Sequence, residues 1–159
     1  MGRVLAVCAV ALASLALPAI ASAASQPSVH GHGSVMRGSD RFNISARGVI
    51  ADADGQVRRT LTSFDPNLTG VGQVDCLNVQ GNNFTASGLL KQSTFNFPGF
   101  PQTRFIAFGQ DNGRGQGNQN PDRFGYLEFG SFFNFDCRGQ RGPTGGNVTE
   151  GDIRIDPGG

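Results

Sequence analysis

Short apolar runs of period two, each cut off by Gly, Asn, Asp or Pro, constrain this chain more than any other feature. Phe42, Ile44 and Ala46 alternate with Asn43, Ser45 and Arg47. Phe84, Ala86, Gly88 and Leu90 repeat the pattern on alternate positions. Residues 57–64, 71–79, 103–109, 123–135 and 148–155 read as further strands. Beyond residue 23 no long segment places apolar residues at helical spacing. The chain carries 24 glycines, which suit turns and disfavour helix. Seven or eight short strands at regular spacing predict an all-β domain, a single antiparallel barrel or sandwich over residues 35–156.

Turn chemistry sets the expected joints. Asp52-Ala53-Asp54-Gly55 and Gly81-Asn82-Asn83 read as hairpin turns. Residues 110–121 hold no apolar side chain and read as a loop, as does the Gly-rich stretch 138–146. Residues 24–34 read as a flexible N-terminal arm and 157–159 as a frayed C-terminus. With 13 phenylalanines and no tryptophan, the core is expected to consist largely of phenyl rings. Phe42, Ile44, Phe84, Ala86, Phe105 and Phe124 lie on the apolar phase of their strands and should be buried.

The first 23 residues have a different character. Arg3 precedes an apolar run, and Ala21-Ser22-Ala23 ends it with small residues. This is the pattern of a secretory signal peptide cleaved after Ala23, so a secreted, extracellular protein is expected. The apolar run is shorter than the roughly 20 residues a spanning helix needs. No membrane span is therefore expected in the mature chain. Losing Arg3 brings the formal charge from +1 to zero. A neutral chain offers no broad field for nucleic acid, and none is expected as a partner.

Cys8 leaves with the signal segment, so Cys76 and Cys137 remain. In an exported chain such a pair predicts one disulfide. Two cysteines alone do not complete a structural zinc site.

Catalytic and metal motifs find little support. The chain has only two histidines, His30 and His32, and no nucleophile elbow, zinc-protease helix or P-loop. Its two glutamates, Glu128 and Glu150, sit in no recognisable glycosidase frame. On a strand His30 and His32 would share a face and offer two imidazoles to copper or zinc, but no further ligand is indicated. Residues 111–122 carry oxygen donors without the order of a calcium loop, and Arg114 opposes a cation. Asn43, Asn67, Asn83 and Asn147 head glycosylation sequons, read here as composition. No catalytic residue, metal or cofactor is expected.

The segment Val74-Asp75-Cys76-Leu77-Asn78-Val79-Gln80-Gly81-Asn82 resembles part of a family of small secreted β proteins from high-GC Gram-positive bacteria. Asp111-Asn112-Gly113, Pro121-Asp122-Arg123-Phe124 and Cys137 follow in the same order. The resemblance spans residues 33–155. It implies an exported antiparallel barrel or sandwich with one disulfide, and it implies no activity. The expected function is a non-catalytic extracellular or surface-associated binding domain, with a small molecule or a cell-surface group as ligand. An alternative is a small-ligand carrier with an apolar barrel interior, which an enclosed cavity would favour and a filled core would not. A hydrolase is a distant third reading.

Overall fold

The computed structural model describes residues 24–35, 40–61, 68–94, 102–113, 120–130, 137–138 and 145–159. The expected signal peptide, the Phe/Pro-rich stretch 95–101 and the phenylalanines after Gly130 lie outside the described residues. Eight strands follow one another: β1 (Ser28–Val35), β2 (Asp40–Val49), β3 (Asp52–Leu61), β4 (Leu68–Gln80), β5 (Asn83–Ser93), β6 (Gln102–Gln110), β7 (Arg123–Gly130) and β8 (Gly146–Asp156). Each pairs antiparallel with the next, and β1 pairs with β8 to close a barrel. Of the two expected architectures the barrel is the one observed.

Alternation builds the interior. β2 alternates buried and exposed without a break, from buried Asp40 through Phe42, Ile44, Ala46 and Gly48. Phe42, Ile44, Phe84, Ala86, Phe105 and Phe124 are all buried, as the apolar phase predicts. Phe42 stacks on Phe124 with ring centroids 3.9 Å apart, and Phe105 stacks near Tyr126 at 5.6 Å. Large rings need small neighbours. A side chain at Gly72 would collide with the Phe105 ring. The barrel middle is therefore packed by aromatic rings against glycines.

Three local features depart from the period-two reading. The first concerns residues 24–34. Only 24–27 precede the sheet, whereas Ser28–Val35 is a full strand paired on both sides. Its inward positions are Val29, Gly31, Gly33 and Val35, and the glycines weaken the apolar signal. A Cβ at Gly33 would collide with the Glu150 carbonyl, so the small residue permits close pairing with β8. The second is the first hairpin. The turn lies at Ile50 and Ala51, with Ala51 at φ 69°, and 52–55 already belong to β3. No Gly or Asn marks that turn, so sequence placed it at the nearest Asp-Gly.

The third is a β-bulge in β4 between Val74 and Cys76. Val74 points inward with Gly70 and Gly72. Without the bulge Cys76 would follow it on the inward phase. The extra residue, Asp75, shifts the register, so Leu77 faces the core and Cys76 faces outward opposite Ser87. Cys76 and Cys137 form the expected disulfide there, with Cα atoms 5.9 Å apart. Asn78 Nδ2 donates to the Cys137 carbonyl at 2.9 Å and fixes the same junction. Asp75 is held by Arg104, whose Nη2 lies 3.1 Å from Oδ2.

Up-and-down order gives the barrel two unlike ends. At one end lie the tight turns at 50–51 and 81–82, residues 111–113 and 120–122, and the two described termini. At the other lie Val35, Asp40, Leu61, Leu68, Ser93 and Gly146. This second end is the mouth.

Candidate functional site

The mouth holds charged side chains that the strand pattern sends inward. Asp40 is on the phase of Phe42 and Ile44, Arg59 on that of Val57 and Leu61, and Glu128 on that of Phe124 and Tyr126. Arg59 Nη2 donates to Asp40 Oδ2 at 3.1 Å. Their side chains are only 20% and 10% exposed, so each depends on the other for compensation. The guanidinium also lies over the Tyr126 ring, 5.4 Å from its centre.

Glu128 is placed differently. Ser93 Oγ donates to its Oε2 at 2.5 Å. Gly70 on β4 leaves the space its carboxyl occupies, because a Cβ there would collide with Oε1. Burial raises the Glu128 pKa, opposed by the Ser93 hydrogen bond, the Tyr126 hydroxyl and the charge of Arg59. Burial likewise raises the Tyr126 pKa, with Glu128 adding to the effect. The Tyr126 hydroxyl is buried beside Glu128.

Among the described residues, two cavities line this end. The larger, about 450 Å³, has Arg59 and Glu128 as polar groups and Leu61, Leu68 and Leu127 as apolar walls, with Thr69 and Gly70 between. The smaller, about 190 Å³, runs past Asp40, Arg59 and Tyr126 toward Gly146. Among the described residues β7 pairs with β8 at Arg123 and Phe124. Arg59 Nη1 makes a long contact, 3.5 Å, with the Tyr126 carbonyl on this strand.

The residues that sequence weighed for chemistry lie elsewhere, apart from Glu128. His30 and His32 do share the outer face of β1. Both are exposed, and His30 Nδ1 lies 3.1 Å from Ser45 Oγ. Among the described residues no cluster of three His, Cys, Asp or Glu side chains forms. Glu150 accepts from Ser34 on the β1–β8 pair, with partners distinct from those of Glu128. In the 111–122 loop the carboxylates have backbone partners. Asp122 accepts from Asn112 and Ile153, and Asp111 from Gly113 and Ile155.

The sequence did not single out Arg59, Asp40 or Ser93, and Glu128 was weighed only as half of a glycosidase pair, without a frame for it. The available signal was a charged residue on the apolar phase of a strand. No family model, curated protein or solved structure matches this chain.

Proposed function

We propose that this protein is a secreted, non-catalytic binding domain that takes a small amphipathic molecule in the mouth of its barrel. The observation that carries the reading is the cavity of about 450 Å³, with leucine walls and two convergent charged groups. Its size falls in the usual range for small-molecule sites, as does its mix of apolar wall and few polar groups. The packed aromatic middle speaks against a ligand enclosed deep in the barrel and favours one held at the mouth. The signal-like segment and the Cys76–Cys137 disulfide support export.

Tyr126 provides the test. The chain has one tyrosine and no tryptophan, so its ultraviolet fluorescence comes from this residue at the mouth. A set of small amphipathic molecules titrated into the mature domain should include members that change that emission saturably. The Leu68→Arg variant, checked for folding by circular dichroism, should lose the response. A full set without any saturable change, or a response untouched by Leu68→Arg, contradicts the proposal.

A further inference from the structure

Resting on that reading, we infer that the mouth selects small organic amines, an ammonium group docking on Glu128 while an apolar body lies against Leu61, Leu68 and Leu127. The charge arrangement at the mouth carries the inference. Asp40 and Arg59 form an ion pair and cancel. Among the described residues no cation forms an ion pair with Glu128, which bonds to the uncharged Ser93 hydroxyl. Among the described residues, Asp40, Arg59 and an ionised Glu128 together leave one negative charge in excess beside the larger cavity. An ammonium ligand restores neutrality, whereas a carboxylate ligand would bring a second uncompensated negative charge into a half-enclosed apolar site.

Geometry agrees with the charges. Glu128 lines the larger cavity directly, with its Oε1 seated against Gly70. An ammonium offers three donors, and a carboxylate oxygen has room for more than the single Ser93 bond. A straight alkyl chain extending from the nitrogen then meets leucine side chains.

The groups facing Glu128 set how pH acts. Among the described residues, Arg59 from β3 and Tyr126 from β7 adjoin it, and Asp40 from β2 pairs with Arg59, while β4 and β5 contribute the uncharged Gly70 and Ser93. Lowering the pH thus neutralises Glu128 and removes the attraction for an amine.

The experiment compares hexylamine, 1-hexanol and hexanoate, three ligands with one alkyl body, by calorimetry on the mature, disulfide-bonded domain. Hexylamine should bind about tenfold or more tighter than 1-hexanol, with hexanoate weakest. Glu128→Gln should erase the preference. In the wild type, acidification should weaken hexylamine and leave 1-hexanol unchanged, a readout independent of whether the variant folds. Equal or tighter binding of 1-hexanol or hexanoate overturns the amine assignment and leaves the mouth as a binding site. Failure of all three, when other small molecules still perturb Tyr126, also overturns it. Failure of every molecule overturns the underlying reading as well.

Discussion

Asp122 joins the 111–122 loop to β8 through Ile153: its Oδ2 accepts the Ile153 backbone N–H at 2.8 Å. Its other oxygen accepts from Asn112 N–H at the same distance. Asp111 repeats the device one step along, taking the Ile155 N–H at 3.2 Å. These bonds serve the strand where β7 gives β8 only a short ladder. Side-chain oxygens thus satisfy donors that a longer β7–β8 pairing would otherwise take.

Asp122→Ala should therefore lower stability by about 2–4 kcal/mol, since two hydrogen bonds to a charged acceptor disappear. Asp122→Asn keeps one acceptor and should cost less. Urea unfolding of both variants checks the order. An Ala variant as stable as wild type would show that the loop is dispensable for closing the barrel.

Phe105→Ala should cost about 3–5 kcal/mol, because a fully buried ring leaves a cavity among residues that cannot collapse onto it. Its neighbours Gly72 and Gly88 have no side chains to move into the space. Chemical denaturation measures this. A loss below about 1 kcal/mol, the range of mild core swaps, would contradict the packed interior.

Reducing the Cys76–Cys137 bridge should lower stability by about 4 kcal/mol, given its sequence separation of 61 residues. Unfolding with and without reductant checks it, with Cys76→Ser, Cys137→Ser as the matched variant. Free thiols in non-reducing mass spectrometry of the exported protein would refute the bridge.

Glu128 gives a pH dependence with a definite sign. Its pKa is raised in the folded state, so the folded protein holds that proton more tightly than the unfolded chain. Its contribution falls as pH rises from the unfolded carboxylate value through the raised one, and the penalty is complete above it. Glu128→Gln should be more stable than wild type at neutral pH and should lose this slope. Thermal unfolding from pH 4 to 8, roughly spanning ordinary carboxyl ionisation, tests the difference. A variant with the unchanged pH profile would assign the slope to other groups.

Much of the fold was legible because strand alternation is a local property. Phe42, Ile44, Phe84 and Phe105 announce their phase with neighbours two residues away. The bulge at Asp75 was not legible, since nothing in Val74-Asp75-Cys76 marks an added residue. The turn at Ile50 and Ala51 was hidden by the absence of glycine. The mouth was hidden for another reason. Arg59, Asp40 and Glu128 look like ordinary solvent-face charges until their strand phase is counted, and only barrel closure brings β2, β3 and β7 together. Ser93 and Gly70 are too common as residue types to signal a site.

The most direct test of a ligand site at the mouth is a map of backbone amide shifts in the mature domain on titration with the small molecule that most strongly perturbs Tyr126. Saturating changes are expected at Thr69, Gly70, Ser93, Tyr126 and Glu128, with Gly81, Asn82 and the outer-face His30 and His32 unmoved. Changes centred on the tight-turn end or on the outer face of β1, with the mouth silent, would contradict it.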